Sequence, residues 1–327
     1  MSHPGPRWGG IMPAALTMFT VSGRLDLDAT AAHIDDLVGM GADGLVVGGT
    51  SGEFIALSEF ERRRLIETAI DVVGGRAPVI AGTGYFSTAA TIRLTRHAAA
   101  KGADGAIVIL PYFQKPNRAE VIEHYRAVGR SVGLPLMVYN NPANSAAPPL
   151  MADDIRRLYD EGCVHAVKST FATVHQVHDL RAEIDDGLRV FYGSFMAPLE
   201  GMAAGAHGWI SGILNVTMPD ARDLWVAMAN SDIAGARKAW SRIRPIRDCF
   251  LSHAVGDVSD LAIYKAILRI RGGVAGYCRP PIRDVAAAQL GRLAEILETV
   301  DDEAIREPID GHFSAAVGAS MTARSLE

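Results

Sequence analysis

The sequence contains little that would bind metal, form disulfides or span a membrane. It has three cysteines in 327 residues, and they lie far apart. An odd, scattered set fits neither a disulfide framework nor a zinc site, so we expect inert, buried thiols in a reducing cytoplasm. No apolar run approaches the roughly 20 residues that cross a bilayer, and the first ten residues lack the apolar core of a signal peptide.

Charge and short motifs exclude further classes of protein. The formal net charge of −5 gives no basic surface for nucleic acid. No Gly-x-Gly-x-x-Gly fingerprint of dinucleotide-binding folds opens a helix, and no His, Asp and Glu cluster has the spacing of metal ligands. Arg62, Arg63 and Arg64 are consecutive, but they fall on a predicted helix among carboxylates, which is typical of a solvated face.

Short apolar runs recur over about the first 230 residues, and segments with apolar residues at three- and four-residue spacing separate them. Near-continuous apolar runs are typical of parallel strands covered on both faces, and the intervening spacing predicts helices. The eight predicted strands are 11–16, 44–48, 78–81, 105–110, 136–139, 164–168, 189–192 and 208–211.

The clearest predicted helix is 58–73, because Ser58 and Glu61 form a capping box. Gly-Ala-Asp-Gly occurs at 41–44 and again at 102–105, each time where a glycine would end a helix before a strand. The other predicted helices are 29–40, 87–101, 118–131, 151–160, 220–230, 233–251, 259–271 and 282–300.

Eight strands that alternate with helices predict a (β/α)8 TIM barrel with a C-terminal helical extension. A doubly wound open sheet is the alternative, but it usually has fewer strands. We place the barrel with its active site at 1–230, the extension at 231–310 and a flexible tail at 311–327.

The residue that most strongly indicates chemistry is Lys168, at the end of the sixth predicted strand, where an apolar residue would be expected. Low dielectric disfavours an ammonium, so a lysine kept there is suited to Schiff-base formation. The alternatives are a lysine whose head reaches solvent or one that pairs with a carboxylate.

Two other strand ends should lie near Lys168, because a TIM barrel places its active site at the C-terminal ends of its strands. Tyr139 ends the neighbouring fifth strand, and Gly48–Glu53 follows the second. The lysine would attack a ketone, the phenol would move protons, and Thr50 and Ser51 would hold a carboxylate. A plain glycine turn and a core tyrosine are the alternatives, and metal-assisted chemistry is a weaker one.

These residues resemble the dihydrodipicolinate synthase/N-acetylneuraminate lyase family of class I aldolases and dehydratases, over roughly residues 8 to 300. The motifs occur in the family's order and at its spacing, and the set is specific although no single motif decides. They are Gly48-Gly49-Thr50-Ser51-Gly52-Glu53, Val79-Ile80-Ala81-Gly82-Thr83-Gly84, Pro111-Tyr112-Phe113, Tyr139-Asn140-x-Pro142 and Val167-Lys168.

The resemblance implies a role for each matching residue. Lys168 would be the Schiff-base lysine, Tyr139 the general acid/base and Thr50 the relay hydroxyl. The substrate-binding residues that we predict are Ser51, Gly49, Tyr112, Asn144, Gly193, Ser194, Ile210 and Ser211. The resemblance further implies a pyruvate or other 2-oxo acid substrate, a lysine imine with no other cofactor or metal, and a cytoplasmic dimer or tetramer.

The sequence differs from the synthase branch of the family at positions that bear on which substrate is bound. Asn144 stands where that branch has an arginine that binds the aldehyde's carboxylate, and Phe113 lacks the hydroxyl of the second loop tyrosine, for which Tyr112 is the candidate replacement. A neutral rim that suits an uncharged or polyhydroxylated distal end is predicted from Asn141, Asn144, Ser169, Ser194 and Ser211.

Three functions remain open. The first is a class I lyase for a 2-oxo acid, acting as a sugar-acid aldolase, a dehydratase or a deaminase. The second is dihydrodipicolinate synthase of lysine biosynthesis, which Asn144 and Phe113 disfavour. The third is a ligand sensor on an inactivated barrel, which the combination of Lys168, Tyr139 and Thr50 disfavours.

Overall fold

The computed structural model of the protein describes residues 6–305 and contains a closed ring of parallel strands. Neighbouring strands pair in the order β1-β8-β7-β6-β5-β4-β3-β2, and a parallel bridge between Ala14 and Val46 joins β1 to β2. The predicted TIM barrel is therefore confirmed. The strands are β1 (Gly10–Pro13), β2 (Leu45–Val47), β3 (Val79–Gly82), β4 (Gly105–Ile109), β5 (Leu136–Asn140), β6 (Ala166–Ser169), β7 (Arg189–Tyr192) and β8 (Gly208–Ser211).

A helix follows each strand, and three more helices follow the barrel. The helices are α1 (Leu27–Gly39), α2 (Glu59–Val73), α3 (Thr88–Lys101), α4 (Arg118–Ser131), α5 (Ala152–Asp160), α6 (His175–Glu183), α7 (Pro198–Ala203), α8 (Leu214–Ala229), α9 (Ile233–Leu251), α10 (Asp260–Ile270) and α11 (Ala287–Ile305). Two short 3-10 turns, Phe54–Ala56 and Pro142–Asn144, lie in the loops after β2 and β5.

Local signals set several helix ends as predicted. The backbone N–H of Glu61 donates to Ser58 Oγ at 3.2 Å, and the Ser58 N–H donates to Glu61 Oε2 at 2.9 Å, so the capping box before α2 is confirmed. Gly41 and Gly102, with φ of +86° and +92°, follow α1 and α3. Their left-handed conformation is accessible to glycine and turns the chain toward the next strand.

Two helix starts differ from the prediction. Helix α8 begins at Leu214, six residues before the predicted start, and bends at Thr217, whose φ of −134° is not helical. Helix α11 begins at Ala287, five residues later than predicted. In the preceding segment, Asp284 forms an ion pair with Arg269, whose Nη2 donates to both carboxylate oxygens at 2.7 and 2.8 Å. Such tertiary contacts are not visible in residue spacing.

The apolar residues form two layers, because successive side chains of a strand point to opposite faces. Inside the ring, Met12, Ile107, Met137, Phe191 and Ile210 belong to one cluster, together with Tyr139. A larger cluster lies between the strands and the surrounding helices. A side chain that points inward at the C-terminal end of a strand therefore lies at the floor of a pocket.

The helices after the barrel pack back onto it: α9 packs against α8 and α7, and α10 against α8. The division into a barrel at 1–230 and an extension at 231–310 stays a prediction, and the tail predicted at 311–327 lies outside the described residues. The three cysteines are buried and unpaired. No helix among residues 6–305 is long and apolar enough to cross a membrane, and the cytoplasmic location stays a prediction.

Candidate active site

Lys168 and Tyr139 lie side by side inside the barrel. The two residues are register partners on β6 and β5, and Lys168 Nζ is 4.2 Å from the centre of the Tyr139 ring. Only 5% of Lys168 and 7% of Tyr139 is exposed. The amine is therefore inside the ring of strands and within reach of the phenol, which is the arrangement that imine chemistry between these two residues requires.

The Tyr139 hydroxyl is surrounded by groups that favour its ionised form. Burial raises the pKa of Tyr139, but the positive charge of Lys168 and hydrogen bonds from Thr50, Asn141 and Thr170 together hold the pKa below its ordinary value. Asn141 Nδ2 donates to the phenol oxygen at 2.8 Å.

The loop that carries Thr50 is a tight turn after β2. Gly52 N–H donates to the Gly49 carbonyl at 3.0 Å, and Glu53 N–H donates to the Thr50 carbonyl at 3.0 Å. Glu53 itself has φ of +51°, a left-handed conformation that is uncommon outside glycine. Such a backbone persists only where surrounding contacts hold it, and the Glu53 side chain supplies them.

The Glu53 carboxylate is buried and tied to the C-terminal helices. Lys265 Nζ, on α10, donates to Glu53 Oε1 at 2.5 Å and to the Tyr277 carbonyl at 2.7 Å. The Arg279 backbone N–H donates to Glu53 Oε2 at 2.9 Å. The predicted extension is thus joined to the loop that carries Thr50 and Ser51.

One pocket at the barrel mouth brings several of the predicted site residues together. Lys168, Tyr139, Thr50 and Gly49 all line it. Its walls are otherwise mostly apolar or glycine, and Arg62 is the other charged residue among the lining residues. The described residues contain no group of three or more His, Cys, Asp or Glu side chains that could hold a metal ion.

The position of Arg62 corrects the prediction of a solvated basic face. Arg62 is 2% exposed, and it points inward from α2 while Arg64 stays on the surface. Its guanidinium donates to the carbonyls of Gly84 and Gly82 at 2.9 and 2.8 Å. Burial lowers the pKa of Arg62 to about 10. The sequence does contain a signal for this position, because Arg62 precedes the buried Leu65 and Ile66 by three and four residues and therefore lies on the same face of α2.

Three more predicted residues lie close to the pocket. A Cβ on Gly193 would lie 2.9 Å from Lys168 Cγ and 3.0 Å from its Cε, so the absence of a side chain there makes room for the lysine. Ile210 belongs to the cluster inside the ring. Ser51 lies against the loop after β8, since a Cβ on Gly212 would be 2.6 Å from Ser51 Oγ.

The predicted neutral rim is wrong at Ser169 and Ser211 and stays a prediction at its other positions. Asn144 is exposed. Ser194 Oγ accepts the backbone N–H of Met196 at 3.1 Å. Ser169 and Ser211 follow the inward-pointing Lys168 and Ile210 in their strands, so their side chains face the helices. The remaining predicted rim residue is Asn141, and its side-chain amide donates to the Tyr139 hydroxyl.

The loop after β4 presents its two aromatic residues differently. Tyr112 is half-buried, with its ring 5.6 Å from Phe54 and 4.8 Å from Phe86, and burial raises its pKa to about 12. The next residue, Phe113, is 84% exposed and has φ of +72°. Tyr112 is therefore part of the wall near the mouth, where its ring packs on other aromatic rings.

Sequence reasoning missed the supporting role of Lys265. A lysine within the apolar helical run Leu261–Leu268 was a signal for it, since a buried lysine in a helix needs a partner. The identity of that partner could not be read from the sequence, because Glu53 is 212 residues away in the chain.

Comparison with known proteins agrees with this fold. The sequence profile of the dihydrodipicolinate synthetase family matches residues 7–300. The chain is 35% identical over 293 residues to 4-hydroxy-tetrahydrodipicolinate synthase of Symbiobacterium thermophilum, covering 89% of this chain and 98% of that one. It is 36% identical over 275 residues to the enzyme of the same name from Mycolicibacterium paratuberculosis, covering 84% and 89%.

Among solved structures, the chain is similar to YagE from Escherichia coli K12, a prophage protein of the dihydrodipicolinic acid synthase family in complex with pyruvate. The TM-score is 0.84 at 30% identity, and the match covers 90% of this chain and 99% of that one. The similarity extends through the helices that follow the barrel as well as the barrel itself.

Proposed function

The chain belongs to the dihydrodipicolinate synthetase family, and we propose that it is a class I lyase that forms an imine between Lys168 and the ketone of pyruvate or another 2-oxo acid. The observation that carries the proposal is the buried pair of Lys168 and Tyr139, with Nζ 4.2 Å from the ring centre. Amine, acid/base and carboxylate-binding loop then converge on one pocket.

The proposed chemistry assigns each group a step. The unprotonated Lys168 amine adds to C2 of the 2-oxo acid, and one of its N–H protons passes to the former ketone oxygen. Tyr139 supplies a second proton to that oxygen, which leaves as water, so that C2 keeps a C=N bond to a protonated Nζ. The protonated imine then withdraws electrons from the adjacent carbon, where bonds are made or broken.

The carboxylate of the substrate is proposed to bind the loop after β2. Thr50 and Ser51 offer hydroxyls and backbone N–H groups beside the pocket, and Thr50 is one of its lining residues. Gly193 leaves room for the lysine stem, and Ile210 closes the floor. Asn144, Ser194 and Ser211 are not among the residues that line the pocket, and we assign them no step in the proposed chemistry.

Borohydride trapping tests the proposal directly. Incubation with pyruvate and borohydride should add one pyruvyl group per chain, on the peptide that contains Lys168, as read by mass spectrometry. Lys168→Ala should remove the adduct, whereas Lys101→Ala, on the surface of α3, should leave it. Absence of an adduct in the wild-type protein would contradict the proposed imine.

A second, more specific function is 4-hydroxy-tetrahydrodipicolinate synthase, the name carried by relatives at 35% and 36% identity. Asn144 in place of an arginine disfavours it, since an amide is a weaker carboxylate ligand than a guanidinium. Turnover of pyruvate with aspartate semialdehyde, compared with cleavage or dehydration of a panel of 2-keto-3-deoxy acids, separates the two functions.

A homo-oligomer, dimer or tetramer, is proposed from the surface near the barrel mouth. Phe60, Phe86 and Phe113 are 69%, 55% and 84% exposed, and a second copy would cover such an apolar surface. Sedimentation should give a mass above that of one chain. Phe113→Asn should shift the equilibrium toward the monomer, and asparagine is chosen because it tolerates the left-handed backbone at this position. Val21→Asn, at another exposed position, should not shift the equilibrium.

A further inference from the structure

Asn141 contacts the proposed acid/base from the residue just beyond β5. It is 2% exposed, and its Nδ2 lies 2.8 Å from the Tyr139 hydroxyl oxygen. The side chain is thus directed at Tyr139 rather than toward the distal end of a substrate. Asn141 and Tyr139 are two residues apart in the chain, so this contact is made within a single subunit.

A second hydrogen bond fixes which end of the amide faces the phenol. Asn141 Oδ1 accepts the backbone N–H of Asn144 at 3.3 Å, and so caps the 3-10 turn Pro142–Asn144. An amide has one oxygen that accepts and one NH2 that donates. Because the oxygen is used by the turn, the donor end is the one presented to Tyr139.

We propose that Asn141 is a positioning residue that stabilises the phenolate of Tyr139 and thereby sets the pH range over which Tyr139 exchanges protons with the substrate. A hydrogen bond to an ionised acceptor is stronger than one to its neutral form, so a fixed N–H donor favours the phenolate. This inference rests on the proposed function, in which Tyr139 is the acid/base.

Two charged side chains lie near the phenol or line the same pocket. Lys168 faces the ring from β6, and Arg62 lines the same pocket from α2. No carboxylate is among the described residues that line the pocket. Thr50 and Thr170 present hydroxyls, which can either donate or accept. Asn141 is the group in this set that donates to the phenol oxygen without being able to take its proton.

The pH dependence of kcat provides the test. A plot of kcat against pH has a limb that depends on the protonation of Tyr139, and Tyr139→Phe should remove that limb and so identify it. Asn141→Leu removes the donor, and Asn141→Asp removes it while keeping an oxygen for the Asn144 N–H. Both variants should move that limb to higher pH by about one unit or more, because a hydrogen bond to a charged group is lost.

The pair of variants separates this role from the capping role. If Asn141 only capped the turn, Asn141→Leu would lower the stability of the protein but leave the Tyr139 limb at its wild-type pH, which would overturn the proposal. Asn141→Asp also places a carboxylate beside the phenol, so it should move the limb further than Asn141→Leu does. An unmoved limb in both variants would overturn it as well. Asn230→Asp, the same change at an exposed position after α8, is the control for charge and should leave the profile unchanged.

Trapping with borohydride distinguishes a failure of this inference from a failure of the proposed function. Both Asn141 variants should still form the pyruvyl adduct on Lys168, since the amine is untouched. If the wild-type protein forms no adduct, the proposed function fails. If the adduct forms in all variants and the Tyr139 limb does not move, the role of Asn141 alone fails.

Discussion

Lys265 and Glu53 form an ion pair from which solvent is excluded, and it joins helix α10 to the loop that carries Thr50. The side chains are 0% and 1% exposed, and Lys265 Nζ is 2.5 Å from Glu53 Oε1. Glu53 also has a left-handed backbone conformation. The helices after the barrel therefore support the proposed carboxylate-binding loop, in addition to covering apolar surface.

Removal of one partner of this ion pair should lower the free energy of unfolding. Lys265→Met leaves the Glu53 carboxylate buried without its cation, and such changes typically cost about 3–5 kcal/mol. Urea unfolding of Lys265→Met should show this loss, and Glu53→Gln in the same protein should restore part of it, because the unpaired charge is then removed. Lys238→Met, on the exposed side of α9, is the control and should be near neutral. Equal stability of Lys265→Met and wild type would show that the pair is not needed.

Tyr139→Phe tests the acid/base separately from binding. The variant keeps the ring beside Lys168 but loses the hydroxyl, so the imine should still form while turnover slows by about 10²–10⁴-fold. The measurement is kcat together with borohydride trapping. Tyr159→Phe removes a hydroxyl that bonds Asp185 at the surface and should leave kcat unchanged. Wild-type turnover in Tyr139→Phe would refute the acid/base role.

Gly193→Ala tests the space around the lysine stem. The added Cβ would lie 2.2 Å from Thr170 Oγ1 and 2.9 Å from Lys168 Cγ, distances that require the lysine to move. We expect slower adduct formation with pyruvate by about 10-fold or more, since small misplacements of reacting groups cost rate, with the far-ultraviolet circular dichroism spectrum preserved. Gly39→Ala, where a Cβ meets nothing within 4 Å, is the matched control. Unchanged adduct kinetics in Gly193→Ala would contradict the role of this glycine as a spacer.

Glu61 should make stability depend on pH in the acid range. The hydrogen bond from Arg279 lowers the pKa of Glu61 from 4.5 to about 2 in the folded protein. A carboxylate with a depressed pKa stabilises the fold above its unfolded pKa, and this stabilisation is lost as the pH falls from about 4.5 toward 2. On the scale of 1.36 kcal/mol per pKa unit this shift corresponds to at most about 3 kcal/mol, and solvent screening of the partly exposed pair reduces that contribution.

Glu61→Gln isolates that contribution, because an amide can still reach back to the Ser58 N–H in the capping box. Urea unfolding at pH 6 and pH 3 should show a smaller difference for the variant than for the wild type. Glu298→Gln, on α11, is the control and should keep the wild-type difference. If Glu61→Gln and the wild type lost the same stability between these two pH values, the Arg279 contact would not be the cause.

Much of the fold follows from the sequence alone. The eight apolar runs coincide with β1 to β8 within a few residues, since a strand covered on both faces must be apolar throughout. The capping box of α2 and the glycines after α1 and α3 are local signals, and they were correctly interpreted. The starts of α8 and α11 were not, since α8 bends at Thr217, two residues before Pro219, and the segment before α11 is held by the ion pair of Asp284 with Arg269.

The candidate site was also predicted only in part from the sequence. The sequence by itself determined that a lysine and a tyrosine end neighbouring strands and that a Thr-Ser loop follows another, because strand order and side-chain alternation are properties of the local chain. Only the tertiary structure decided that Asn141 donates to Tyr139 and that Lys265 supports Glu53. Those contacts depend on the relative placement of side chains from separate loops and helices, which no spacing of residues along the chain encodes.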